Sequence, residues 1–143
     1  MPLQIRPATS EDQSQCLSFI AALRGHPLWD GSASVFAQLL HQERGCMLVA
    51  TDGDKLFGVA TVSFNLGIRF GGEYAQLEEL YVSPQARGQN AGALLVRAII
   101  DAAKTRGCAE IGLYLVESTT HNRPFYEKLG FRTVGDEMRQ PLG

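Results

Sequence analysis

The chain has 143 residues, a formal net charge of −2 at pH 7 and 20% charged residues, which fits one globular domain over residues 1–143. This charge balance lacks the basic excess of nucleic-acid-binding domains, and no segment reaches the roughly 18 apolar residues of a membrane-spanning helix. The amino terminus lacks a signal-peptide pattern, and the three cysteines are far apart. We therefore expect a cytoplasmic protein without disulfides, metal, nucleic-acid partners or membrane partners.

The first half of the chain is predicted to form three strands and two helices. Thr9-Ser10-Glu11-Asp12 supplies capping and acidic side chains for the first helix, and Gly25-His26-Pro27 ends it. Asp52-Gly53-Asp54-Lys55 is typical of a hairpin turn between two strands. The predicted elements are a strand over Leu3–Ala8, a helix reaching Leu23, a helix over Ser34–Glu43, a strand over Cys46–Thr51 and a strand over Leu56–Phe64.

The second half is predicted to alternate strands and helices. The predicted elements are a loop over Asn65–Glu73, a strand over Tyr74–Val82, a helix over Asn90–Arg106, a strand over Ile111–Val116, a helix over Thr119–Leu129 and a last strand beginning at Phe131–Val134. Adjacent strands imply antiparallel pairing, and the strand-helix-strand unit over residues 74–116 implies one parallel pair. The fold class is therefore α/β with a mixed sheet.

The loop Pro84–Gly92, between a strand and the strongest helix, is the most informative stretch. Gly88 and Gly92 allow a ligand to approach the backbone closely, and Asn90 tolerates a left-handed conformation. Backbone amides at a helix start bind anions, and Arg87 adds a charged fork suited to phosphate. These features favour a phosphate or pyrophosphate site, although a strand-helix loop that binds nothing has the same pattern. The sequence has neither a P-loop nor a GxGxxG fingerprint.

Three further side chains carry titratable groups within predicted elements. Glu78 and Glu79 are neighbours in a predicted strand, so they point to opposite faces unless a bulge intervenes. We expect at least one of them to be functional, because charged groups in mid-strand are uncommon. Tyr126 taken alone is compatible with an ordinary packed helix residue.

Three segments together resemble the GNAT family of acetyl-CoA-dependent N-acetyltransferases. They are the run Leu77–Pro84 followed by Arg87–Gly92, the run Phe125–Phe131, and Ile5-Arg6-Pro7-Ala8 before an acidic helix start. The family loop reads Gln/Arg-x-x-Gly-x-Gly/Ala, and here Asn90 replaces the first glycine. The resemblance implies a GNAT-like fold: a central, mixed and mostly antiparallel sheet with a splayed parallel strand pair and helices on both faces.

The resemblance also implies where acetyl-CoA binds. The pantetheine arm is expected in the gap between the splayed strands, and Thr119 stands where the family usually has an asparagine, seven residues before the tyrosine. The implied cofactor-binding residues are Leu80, Tyr81, Val82, Arg87, Gly88, Gln89, Asn90, Ala91, Gly92, Ala93, Thr119 and Asn122. No metal is implied.

The same resemblance assigns catalytic roles to three residues. Glu78 is expected to act as the base, Glu79 to contact the substrate, and Tyr126 to protonate the leaving thiolate. An ammonium group must lose a proton before it attacks a thioester, and a carboxylate can receive that proton. Direct attack is expected because no Cys-His pair is placed for an acyl-enzyme.

The acceptor is expected to be the primary amine of a small molecule similar to a polyamine or an aminoglycoside. The residues expected to border its pocket are Phe64, Asn65, Phe70, Glu73, Trp29 and Asp30. A protein amine as acceptor, a CoA-binding sensor without turnover and a plain nucleotide-phosphate binder remain as alternatives. Exposed edge strands at Leu3–Ala8 or near the carboxyl end could pair subunits into a homodimer.

Overall fold

A computed structural model describes residues 2–86 and 88–143, which form one mixed five-stranded sheet with strand order β1-β2-β3-β4-β5. The strands are β1 (Gln4–Pro7), β2 (Gly45–Thr51), β3 (Leu56–Gly67), β4 (Gly72–Val82) and β5 (Ile111–Leu113). The helices are α1 (Gln13–Arg24), α2 (Ser32–Leu40), α3 (Ala91–Arg106) and α4 (Arg123–Lys128). The first four strands pair antiparallel, and β4 pairs parallel with β5, which confirms the predicted mixed sheet.

Helices cover both faces of the sheet, as predicted. Strand β2 shows the division because its side chains alternate between the faces. Met47 and Val49 join the core under α1 and α2, which we call the α1/α2 face. Cys46, Leu48 and Ala50 join the core under α3 and α4, which we call the α3/α4 face. Burial on both faces explains why this strand is apolar throughout.

Local signals account for several element ends. Asp12 accepts a hydrogen bond from the backbone amide of Thr9 (2.8 Å) and a salt bridge from Arg6 (2.7 Å), which fixes the approach to α1. The side chain of Asp52 accepts two backbone amide bonds of 2.9 Å in the turn between β2 and β3. Gly107 ends α3 in a left-handed conformation with φ of +88°, as its position predicts.

Strands β4 and β5 separate after a short stretch of pairing. Only three residue pairs join them, and the last is Leu77 with Leu113. Strand β4 continues to Val82 in pairing with β3, whereas the chain after Leu113 has left the sheet. The predicted strand over Ile111–Val116 is therefore too long, and the described residues leave one edge of β4 unpaired beyond Leu77. The splayed parallel pair implied by the resemblance is confirmed.

Three other predicted elements differ from the structure. The predicted loop Asn65–Glu73 is mostly strand, because β3 and β4 extend to a tight 3₁₀ turn over Ile68–Phe70. The predicted helix Thr119–Leu129 is a 3₁₀ helix over Glu117–Asn122 followed by α4.

The predicted last strand at Phe131–Val134 is wrong. The amide of Phe131 closes the end of α4 by donating to the carbonyl of Tyr126 (3.1 Å), and Val134 is 87% exposed. Without a buried face or a pairing partner, this segment has no reason to become a strand. Within the described ranges, no helix combines the length and apolar character that crossing a membrane requires.

Candidate active site

A bulge in β4 brings both candidate carboxylates to one face. Thr61 of β3 pairs with Glu79, but the next residue, Val62, pairs with Leu77, so Glu78 is the extra residue. Glu78 accepts a hydrogen bond from the Ser63 hydroxyl (2.6 Å), and Glu79 accepts one from the Thr61 hydroxyl. Because residues 61 and 63 lie on the same side of β3, both carboxylates lie on the α1/α2 face.

Glu79 lines a cavity of about 320 Å³ between the sheet and the α1–α2 region. The cavity walls also include Thr61, which is 2% exposed, and Trp29 and Asp30, two of the residues expected to border the acceptor pocket. Burial raises the pKa of Glu79, and the nearby charge of Glu78 raises it further, while the hydrogen bond from Thr61 lowers it. Glu79 is thus a half-buried carboxylate whose proton affinity exceeds that of an ordinary glutamate.

Glu78 has different surroundings. It is exposed, and its partner Ser63 lines a second cavity of about 330 Å³ with Phe64 and Asn65. Phe64 and Asn65 therefore border a different cavity from the one that Glu79 lines.

Phe70 and Glu73, also predicted to border the acceptor pocket, line neither of these two cavities. Phe70 packs on Tyr74 with ring centroids 5.3 Å apart. Glu73 forms a salt bridge with Arg106 (2.9 Å) at the end of α3. Both residues stabilise the hairpin end of β4 instead.

The turn before α3 takes two left-handed backbone conformations. Gly88 has a φ of +81° and Asn90, which precedes the helix, has a φ of +59°. Asparagine is one of the few residues with a side chain that adopts this conformation readily, so Asn90 is compatible with the left-handed backbone at this position. Arg87, predicted to add a charge here, lies outside the described residues.

The first turn of α3 presents backbone amides. The first amide to bond back along the helix is that of Leu94, which donates to the carbonyl of Asn90 (3.1 Å). No described residue accepts a hydrogen bond from the amides of Ala91–Ala93, whereas the amide of Gln89 donates to the carbonyl of Ala86 (3.2 Å). Amides 91–93 and the positive end of the helix dipole together suit a phosphate group.

Gly92 allows this helix start to sit close to its neighbours. A Cβ atom at Gly92 would lie 3.4 Å from Cζ of Phe125 in α4 and 3.7 Å from Cγ2 of Val82 in β4. Both distances are ordinary van der Waals contacts, so a side chain no larger than a methyl group fits at this position. The helix start therefore lies against α4 and the unpaired end of β4.

The predicted pantetheine contacts divide between the two faces. Leu80 and Val82 pack on the α3/α4 core, whereas Tyr81 packs on Phe19 of α1 with ring centroids 5.3 Å apart. On the edge away from β3, no described strand pairs with residues 78–82. The backbone of this edge is therefore available to a ligand lying between β4 and the chain after Leu113.

Tyr126 lies on α4 at the α3/α4 face. Its ring packs edge-on against Phe125 (4.9 Å between centroids) and Phe131 (5.9 Å). Burial raises its pKa, so the hydroxyl keeps its proton at neutral pH. Among the described residues, its hydroxyl has no hydrogen-bond partner.

The two other predicted cofactor contacts precede α4. The hydroxyl of Thr119 donates to the carbonyl of Val116 (3.0 Å). Asn122 is the N-cap residue of α4, and its side chain makes no capping bond. Both are half-buried on the segment that leaves the sheet after β5.

The sequence interpretation missed Thr61. Its hydroxyl donates to Glu79 and accepts the Glu79 backbone amide (3.0 Å), so it holds both the bulge and the carboxylate. The available signal was a threonine in an otherwise apolar run of β3. Ser63, two residues later, has the corresponding role for Glu78.

The cysteines do not form a nucleophilic centre. Burial raises the pKa of Cys16 to about 12, and burial also raises the pKa values of Cys46 and Cys108. All three thiols therefore stay protonated at neutral pH.

Residues 10–131 match the family model described as the Acetyltransferase (GNAT) family. The chain belongs to this family. It is 32% identical over 74 residues to a glucosamine 6-phosphate N-acetyltransferase of Trypanosoma brucei brucei, a match that covers 52% of this chain and 48% of the relative. It is 27% identical over 84 residues to a thialysine N-epsilon-acetyltransferase of Bos taurus, covering 50% of this chain and 49% of the relative.

The structural similarity to a solved protein extends over nearly the whole chain. A solved structure described as a transcriptional regulator from Bacillus halodurans C-125 superimposes with a TM-score of 0.86 at 27% identity, covering 98% of this chain and 99% of that one. By contrast, this chain spans about half the length of the curated relatives it matches.

Proposed function

We propose that this protein transfers an acetyl group from acetyl-CoA to the primary amine of a small molecule by direct attack. The observation that carries this proposal is the bulge at Glu78, which turns both carboxylates toward the cavity side of β4 where β4 separates from β5. Membership of an acetyltransferase family supports it. The relatives named for glucosamine 6-phosphate and thialysine also act on amines.

The residues on the α3/α4 side fit acetyl-CoA. The amides of Ala91, Gly92 and Ala93 would hold the pyrophosphate, and the unpaired edge over Leu80–Val82 would bind the pantetheine amides. Thr119 and Asn122 flank the same gap. When bound, acetyl-CoA would supply a thioester whose carbon–sulfur bond breaks as the carbon–nitrogen bond forms.

Glu79 is the proposed base. An alkylammonium with a pKa near ~10.4 must lose a proton before its nitrogen can attack. Glu79 lines the cavity and its pKa is raised by burial, so it is a better proton acceptor than an exposed carboxylate. The resemblance assigned the base to Glu78, but Glu78 is exposed and bonded to Ser63. We therefore propose the reverse assignment, with Glu78 raising the proton affinity of Glu79.

Tyr126 is the proposed acid. Its raised pKa keeps the hydroxyl proton available, so Oη can donate it to the departing sulfur. The amine nitrogen releases its second proton to solvent. Glu79 then gives its proton back to solvent and Tyr126 recovers one, which regenerates the base and the acid. Direct attack is favoured over an acetyl-cysteine because the three thiols remain protonated.

The test combines ligand binding with turnover. Acetyl-CoA and CoA, but not ATP, are expected to raise the melting temperature by several degrees at saturating concentration. A panel of primary amines is then scored by release of free thiol and by mass spectrometry of the acetylated amine. Binding of acetyl-CoA without acetylation of any amine would instead indicate a CoA-binding module, and an acetyl-cysteine adduct would contradict direct attack.

A further inference from the structure

The cavity that Glu79 lines has mainly apolar walls. Its volume of about 320 Å³ accommodates a small organic amine but not a large oligosaccharide. The apolar wall residues come from α1, α2, β2 and the α1–α2 connection, and they include Leu17, Ile20, Leu28, Phe36, Leu39 and Met47. A polyhydroxylated acceptor would lose its hydrogen bonds to water against these walls and gain none from them.

The charged groups of this cavity are both acidic. Glu79 lies beside buried Thr61 at the inner end, and Asp30 is exposed and therefore at the rim. No lysine, arginine or histidine is among the described residues that line it. Arg24, over the Trp29 ring at 5.9 Å, lies outside the lining and is hydrogen-bonded to His26 (3.0 Å). A phosphate on the acceptor would thus meet only negative charge inside the cavity.

We infer that the acceptor is a primary amine whose body is apolar and carries no negative charge, such as an alkylamine or an arylalkylamine. This inference rests on the proposed function and selects among the amines that it allows. The ammonium group pairs with the Glu79 carboxylate, and the apolar body fills the space between Leu28 and Met47. A polyhydroxylated body would lose its hydrogen bonds to water there, and a phosphate would be repelled by Glu79 and Asp30.

The length of the alkyl chain gives a quantitative test. Burial of each methylene group is worth about fourfold in kcat/KM, so the value should rise by about that factor per carbon from propylamine to hexylamine. An aminoglycoside and glucosamine 6-phosphate should each be at least about tenfold poorer than hexylamine.

Two leucine variants test whether the dependence of kcat/KM on alkyl chain length arises in this cavity. Leu28→Ala should reduce kcat/KM for hexylamine by about tenfold and leave propylamine almost unchanged, because only the longer chain reaches this wall. Leu28 is half-buried, so the variant should fold, and the melting temperature with acetyl-CoA checks this. The matched control is Leu142→Ala, since Leu142 is 94% exposed near the end of the chain.

The outcomes separate this inference from the proposed function. An amino sugar or peptide amine that is preferred to hexylamine, or a rate independent of chain length, overturns the inference and leaves the transferase function intact. Acetylation of no amine despite binding of acetyl-CoA overturns both. Rising rates along the alkylamine series that disappear in Leu28→Ala, but not in Leu142→Ala, support the inference.

Discussion

The two faces of the sheet present different chemical groups. The α3/α4 face ends in polar backbone, with the amides of Ala91–Ala93 and the unpaired edge of β4. The α1/α2 face has side chains, with one half-buried carboxylate, Glu79, in a largely apolar cavity. Under the proposed function, the backbone groups bind acetyl-CoA and the side chains of the other face select the amine. The proposal thus places cofactor binding and acceptor specificity on opposite sides of one strand.

The largest difference in activity is expected between variants of the two carboxylates at the bulge, Glu78 and Glu79. Glu79→Gln should reduce kcat by about 10²- to 10³-fold, because the ammonium would lose its proton acceptor. Glu78→Gln should reduce it by less than about tenfold, because Glu78 lies outside that cavity. Both variants are measured by free-thiol release at saturating acetyl-CoA. A larger loss of kcat in Glu78→Gln than in Glu79→Gln would indicate that Glu78, and not Glu79, is the base.

A second test separates chemistry from binding on the α3/α4 face. Tyr126→Phe should lower kcat by about 10- to 100-fold while the Kd for acetyl-CoA stays unchanged, because the ring packing against Phe125 and Phe131 is kept. Calorimetric titration with acetyl-CoA provides the Kd. An unchanged kcat would remove the acid role from Tyr126.

A third test concerns the residue that holds Glu79. The Thr61 hydroxyl lowers the pKa of Glu79, so Thr61→Val should raise that pKa further and move the acidic limb of the kcat/KM profile to higher pH. Thr61→Ser keeps the hydroxyl and should restore the limb to its original position. A limb that stays in place in the valine variant would show that a group other than Glu79 governs it.

The smallest effect on activity is expected for a change at Asp12, which precedes α1 and lies far along the chain from the proposed catalytic residues. Asp12→Asn should lower the free energy of unfolding by about 1–2 kcal/mol at pH 7, by weakening the bonds to Arg6 and Thr9, with kcat nearly unchanged. Arg6 lowers the pKa of folded Asp12, so this stabilisation exists above the ordinary aspartate pKa of about 3.9 and is lost as pH falls through the lower folded value.

Urea titrations of the wild type, Asp12→Asn and the exposed control Asp101→Asn provide the comparison across pH. A deficit in Asp12→Asn that persists at the lowest pH would indicate packing rather than charge. A stability deficit of equal size in Asp101→Asn would contradict the specific role of the Asp12 contacts.

The predictable parts of this molecule were those encoded by neighbouring residues. The turn at Asp52, the helix stop at Gly107 and the left-handed conformation at Asn90 depend on local backbone preferences, and the structure has each of them. The sequence did not show that Met47 and Leu48 face opposite sides of the sheet, because both faces of β2 are buried and its residues are apolar throughout.

The site on the α1/α2 face was harder to predict from the sequence, because it depends on pairing between segments that are distant in the chain. The bulge at Glu78 exists only through the register of β4 against Thr61 and Val62 of β3. The cavity forms only when Leu28 and Leu39 come to lie beside β2. Likewise, residues 131–134 have a composition typical of a strand, but they form none; the amide of Phe131 caps the end of α4 instead.

The most direct test is a crystal structure with coenzyme A joined through an acetyl bridge to hexylamine. The account predicts the pyrophosphate at the amides of Gly92 and Ala93, the alkyl chain beside Leu28, and the amine nitrogen within hydrogen-bond distance of Glu79. An alkyl chain that instead entered the cavity lined by Phe64, with its nitrogen beside Glu78, would contradict the division of roles between the two faces.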